Sequence, residues 1–139
     1  MNVPIRVLFV CIGNSCRSPM AEGFARHKYG DFLRPESGGV WPAGLVQPAT
    51  IAAMAEKGIS VDGKQPRSLA AVDDASIDLV VNMCQVAVLH MMPDFKGVNL
   101  VWHVPDPVGQ PMDVYRKVRD QIEALVDELA ENLRRQHKA

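Results

Sequence analysis

The chain has 139 residues, 47% of them hydrophobic, and a formal net charge of −1 at pH 7. That content suits a single globular domain over 1–139 and excludes a disordered chain, and the near-neutral balance gives no electrostatic footing on nucleic acid or an anionic membrane surface. No apolar run approaches a membrane span, the start runs into a core strand without a signal peptide, and three cysteines, an odd number, make no secreted disulfide framework, so a monomer in a reducing cytoplasm is expected.

Taken in order, Val7 to Val10 is an unbroken apolar run, the pattern of a strand buried in a parallel sheet. A loop of small and polar residues follows, and a helix then opens with Ser18 as N-cap and Pro19 in the first turn. Its body is Met20 to Tyr29, with Gly30 as the stop. Phe32 to Ser37 is a short second strand that Pro35 confines to a sheet edge, and Gly38 to Gln47 is loop, holding Trp41. Pro48 to Lys57 is a helix ended by Gly58, with Ile51, Met54 and Ala55 on its apolar side. Ile59 to Ala75 is irregular apart from a helical turn near Leu69, Ile77 to Met83 is the third strand with Cys84 at its end, and Val98 to His103 is the fourth. A long helix runs from Met112 to Leu133, where Val118, Ile122, Leu125, Leu129 and Leu133 form one stripe; the tail Arg134 to Ala139 is polar and frayed.

This alternation predicts an α/β fold, a four-stranded parallel sheet with helices on both faces. Ligands of such sheets bind beyond the carboxyl ends of the strands. Cys11, Cys84 and Asp106, each following a strand, come to that one rim.

The segment from Cys11 to Ser18 carries the chemistry. A strand, a tight loop (Ile12, Gly13, Asn14, Ser15, Cys16) and a helix start deliver a row of backbone N–H groups and the positive end of a helix dipole to one point, an anion cradle. Cys11 sits at its base and Arg17 at its far lip. A thiol among inward-pointing donors and beside a guanidinium is favoured as thiolate, and Arg17 offers a planar fork suited to a tetrahedral oxyanion. A cysteine ending a core strand is often mere packing. The clean strand, the turn-tolerant Gly13, Asn14 and Ser15, and the helix start favour a nucleophile instead.

Val-Cys-Ile-Gly-Asn-Ser-Cys-Arg-Ser-Pro-Met-Ala-Glu-Gly resembles the signature of the low-molecular-weight protein tyrosine phosphatases and of the arsenate reductases that share their fold. The resemblance implies a general acid at Asp106, in Val-Pro-Asp-Pro-Val-Gly, where an Asp-Pro is otherwise ordinary turn chemistry. It implies for the reductase branch a second cysteine, here Cys84, that attacks Cys11. Thioredoxin-coupled reductases carry a third redox cysteine where this chain has Val-Leu-His-Met-Met, so any relay here is shorter and the reductant meets Cys11 and Cys84 directly. Cys16 is common to both branches, and both a protective pairing with Cys11 and a packing role stay open.

The phosphatase branch places two aromatic residues after its Asp-Pro; here these are Val108 and Gly109, which leaves Trp41 as one aromatic surface. Asn14, Glu22 and Ser37 match positions that brace the loop and in some reductases help hold a potassium ion. The further acidic residue such a site expects near Arg67 is not evident and the four histidines show no ligand spacing, so no metal is claimed. The expected function is reduction of arsenate to arsenite, without a cofactor and with an external thiol reductant such as thioredoxin, glutaredoxin or a small thiol. The alternatives are a phosphatase forming a phosphocysteine and an oxyanion-binding or redox-sensing protein without turnover.

Overall fold

Ile5–Cys11 forms β1, and from Val7 onward every residue of it is buried. The computed structural model of the chain describes residues 3–138. β1 leads through the loop into helix α1 (Arg17–Tyr29) and then β2 (Leu33–Gly39), α2 (Pro48–Ala55), β3 (Leu79–Asn82), β4 (Val98–Val101) and α3 (Met112–Lys138). The sheet order is β2-β1-β3-β4, with every pair parallel. β2 is an edge strand, as Pro35 demands, because only an edge tolerates a residue without a ladder donor. The register sets Cys11 opposite Gly39 and Val10 opposite Asn82, so the ends of β1, β2 and β3 stop at one level. That shared edge is where the switch in strand order opens a crevice.

The two faces of the sheet are covered differently. Val7, Phe9, Leu79 and Val81 face a large cluster with Met20 and Phe24 of α1, Met54 of α2, and Tyr115, Val118, Ile122 and Val126 of α3. Leu8, Val10 and Val80 face a smaller cluster with Leu69, Val72, Ile77, Cys84, Val88 and Met92. All three α-helices lie on the first face; the helices of the second are single 3-10 turns at Leu69–Ala71, Asp74–Ser76 and Leu89–Met91. Each is too short for a periodic signature, and sequence reading anticipates only the first.

Other boundaries move for local reasons. The cap of α1 is Cys16 rather than Ser18, and no side chain caps it; Ser18 lies inside the first turn because its hydroxyl is used elsewhere. β2 continues through Gly38 and Gly39, where a loop is expected. The strands β3 and β4 are shorter than read, and α2 buries Thr50, Ala53 and Met54, with Ala55 outward. The predicted tail continues α3 to Lys138; Arg134 pairs with Asp31 and lies 4.5 Å from the Phe32 ring, and Ala139 falls outside the described residues. Arg116 and Arg119 of α3 grip Glu56 after α2 and hold its carboxyl at about 2. No helix among the described residues is long and apolar enough to cross a membrane.

Candidate active site

The cradle is built by turning one side of the loop outward. The carbonyls of Cys11, Ile12, Gly13 and Ser15 accept hydrogen bonds from the N–H groups of Val40, Trp41, Ala43 and Gln47, at 2.8–3.3 Å. Asn14 takes the left-handed conformation (φ 51°), which asparagine tolerates better than most residues. Among the described residues, the N–H groups of Ile12 through Arg17 have no acceptor in the chain. Buried N–H groups are nearly always paired, so a run of free donors at a helix start is an anion site awaiting its partner.

Cys11, 3% exposed, closes the floor. Its sulfur lies 3.0 Å from the Ser18 hydroxyl and accepts from the Ser18 N–H at 3.4 Å. Asn14 Oδ1 accepts from the Arg67 N–H, which fixes the amide so that its Nδ2 donates to Ser18 Oγ at 2.8 Å. The Ser18 proton is thereby left for the sulfur.

Arg17 is buried, and its Nη1 donates to the carbonyls of Met83 (2.5 Å) and Val104 (3.0 Å). The fork is thus anchored by the ends of β3 and β4, not by a carboxylate. Its Nη2 lies 3.8 Å from Asp106 Oδ2. Asp106 is half-exposed, and its other oxygen accepts from the Val108 N–H. At the rim where sequence reasoning places Cys11, Cys84 and Asp106, Arg17 stands between the first and the last of them.

Cys84 comes to the same rim from the other face. Cys11 turns toward α1, whereas Cys84 packs in the smaller cluster, and both its N–H and its thiol donate to Asn82 Oδ1 at 2.9 Å. Burial pushes the Cys84 thiol up. Cys16 sits in the main core, where burial pushes its thiol up to about 12. All three cysteines are free thiols.

Beneath the cradle, Glu22 is 4% exposed and accepts from the Ser37 hydroxyl, from Arg26 (2.5 Å) and from Lys64 (2.7 Å). Burial alone would raise its carboxyl, but these three contacts outweigh it and hold the group below its usual range. Arg67 pairs with Glu36 at 2.8 Å. With two side-chain cations already on Glu22, the residues present do not fit a bound potassium ion. Among the described residues no group of three His, Cys, Asp or Glu stands close enough to hold a metal.

Gly39 is a site residue that sequence reading misses. A Cβ there would lie 2.7 Å from Ile12 O and 2.9 Å from Asn14 N, both backbone of the cradle. Gly39→Ala should therefore fold yet weaken phosphate binding by about tenfold or more, since misplacement of this order costs binding geometry. Unchanged phosphate affinity in calorimetry would show that the loop yields without loss.

A cysteine under a run of amide donors, with an arginine and an aspartate at the lip, is the geometry of a cysteine-loop enzyme of tetrahedral oxyanions. The chain belongs to the low molecular weight phosphotyrosine protein phosphatase family, whose model matches residues 6–139. It is 34% identical over 126 residues to a glutaredoxin arsenate reductase of Synechocystis, a match covering 89% of this chain and 95% of that one. Its fold is similar to an arsenate reductase in a phosphate binding state (TM-score 0.83, 32% identity, 92% and 98% of the chains). It is equally similar to an arginine phosphatase from Geobacillus stearothermophilus (TM-score 0.86, 30% identity, 96% and 95%).

Proposed function

We propose that this enzyme reduces arsenate to arsenite, and the observation that carries the reading is Cys84. It is a second thiol one residue beyond Met83, whose carbonyl holds Arg17 against the cradle. Phosphoester hydrolysis has no use for a thiol there. Val108 and Gly109 also leave the lip beyond Asp106 without an aromatic wall.

In this reading the amides of 12–17 and Arg17 hold arsenate, and Cys11 attacks arsenic as the thiolate. Asp106 protonates the departing oxygen, which leaves as water. Cys84 then attacks Cys11 Sγ; the sulfur–sulfur bond forms, the sulfur–arsenic bond breaks, and its electron pair stays on arsenic. Arsenic passes from the +5 to the +3 state while the two thiols become a disulfide. An external thiol, from a glutaredoxin or thioredoxin or a small molecule, restores the pair in a reducing cytoplasm. No metal or organic cofactor enters.

Two measurements test it. Reduced protein mixed with arsenate and no other thiol should yield a single arsenite per chain and lose two of its thiols; absence of arsenite overturns the reading. Phosphate or arsenate at saturation should slow iodoacetamide modification of Cys11 by about tenfold or more, because the anion covers the sulfur. An unchanged rate would remove the cradle from the mechanism.

A second reading, phosphomonoester hydrolysis through a phosphocysteine, has one observation in its favour. Trp41 is 81% exposed beside Ile12, to which its backbone is bonded, and offers one face to an aryl group. Rapid aryl phosphate turnover without arsenite formation would favour it.

A further inference from the structure

The two thiols of the proposed relay lie on opposite faces of the sheet, so something must hold Cys84 away from Cys11 and then let it go. Among the described residues, the hydrogen bonds of the main chain from Cys84 to Ala87 run to the Asn82 side chain, apart from a long 3.9 Å contact of the Cys84 thiol with the Val86 carbonyl. Asn82 Oδ1 accepts from the Cys84 N–H, and Asn82 Nδ2 donates to the Val86 carbonyl at 2.8 Å. The same Oδ1 takes the Cys84 thiol proton.

The turn that Asn82 holds is not a relaxed one. Gln85, directly after the cysteine, sits at φ 62°, a left-handed conformation that costs energy in a non-glycine residue and persists where its surroundings hold it. Gln85, Val86 and Ala87 are exposed, so little packing opposes their movement, and the Gln85 side chain makes a surface contact with His103. Asn82 itself is 5% exposed and rooted in β3, where its carbonyl accepts from the Trp102 N–H.

We propose that Asn82 is the positioning residue for the second thiol: its amide latches the Cys84 turn, holding the sulfur protonated and on the far face until Cys11 carries arsenic. An amide oxygen accepts from a thiol but offers nothing to a thiolate, so loss of the Cys84 proton to solvent removes one of the latch's three bonds and weakens it. The loosened turn relaxes at Gln85 and brings the sulfur round to Cys11. The same movement shifts Met83, whose carbonyl holds Arg17, so the grip on the oxyanion loosens as arsenite forms.

The inference rests on the relay reading, yet it is tested without arsenate. The readout is the rate and pH midpoint of iodoacetamide modification at Cys84, followed by peptide mapping; the other ionisable groups acting on Cys84 are Cys11 and Arg17, unchanged in every variant. Asn82→Ala removes the latch and should speed modification about tenfold, the effect of one unit in thiol acidity, and lower the midpoint. Asn82→Asp keeps an acceptor but adds a charge against the thiolate, so it should slow modification and raise the midpoint, although it also loses the Val86 contact. A purely structural role would move both variants the same way. Any pattern other than opposite shifts overturns the latch, while the relay itself stands or falls on arsenite formation and on the Cys84 variant alone.

Discussion

Cys84→Ser is expected to abolish catalytic arsenate reduction while aryl phosphate hydrolysis, which needs only Cys11, Arg17 and Asp106, stays near the parent rate. Two electrons must leave a thiol pair, and Cys16 is a poor substitute. Burial pushes its thiol up to about 12, so it is held as the thiol and not as the attacking thiolate. It also caps α1 from within the core, where pairing with Cys11 would pull the cradle apart. Serine keeps the hydrogen bond to Asn82, so the turn should not collapse in the variant. Peptide mapping after one turnover of the parent should find Cys11 joined to Cys84. A disulfide needs Cα atoms within about 7 Å, and the Cys84 turn is the segment that moves. Reduction at the parent rate by Cys84→Ser would assign the second thiol to Cys16 or to an external donor.

The second large effect is expected at Asp106. Asp106→Asn should lower turnover by about 10²-fold or more, as loss of a general acid does, with inhibition by phosphate nearly unchanged. The carboxyl lies 3.8 Å from Arg17 yet half in solvent, a placement that serves a departing oxygen better than a resident anion. Phosphate itself carries no leaving group, so its affinity reports binding alone. Equal losses in turnover and phosphate binding would instead mark Asp106 as the cap of the Val108 N–H, the hydrogen bond it accepts in the resting protein.

How much of this was legible from residue order depends on where each cause lies. β1 and the cradle were readable because strand, turn residues and helix start are consecutive. The parallel sheet and the stripe of α3 were readable from period alone, although Tyr115, Val126 and Ala130 widen that stripe. Arg17 was readable as a site residue, but its anchors are carbonyls, which every residue carries and no sequence displays. The Arg67–Glu36 pair was not legible because it crosses 31 positions. Ser18 resembled a cap by type, but its hydroxyl was already committed to Cys11 and Asn14. Gly39 carries no signal except closeness to a loop that only the fold brings near.

The unequal cover of the sheet has a consequence for how the chain is made. β1, α1 and β2 leave the ribosome first and can pair, since their register joins residues such as Ile5 and Leu33. Their apolar face is then bare: Phe9, Met20 and Phe24 share a cluster with Tyr115, Val118 and Ile122, which lie in α3 and are synthesised later. β1 also waits for β3, whose Leu79 pairs with Val7. This part of the nascent chain therefore carries an uncovered hydrophobic surface until α3 emerges, and non-local closure of this kind is slow. A chain that stalls or is clipped before α3 loses the lid over its main core and is exposed to aggregation.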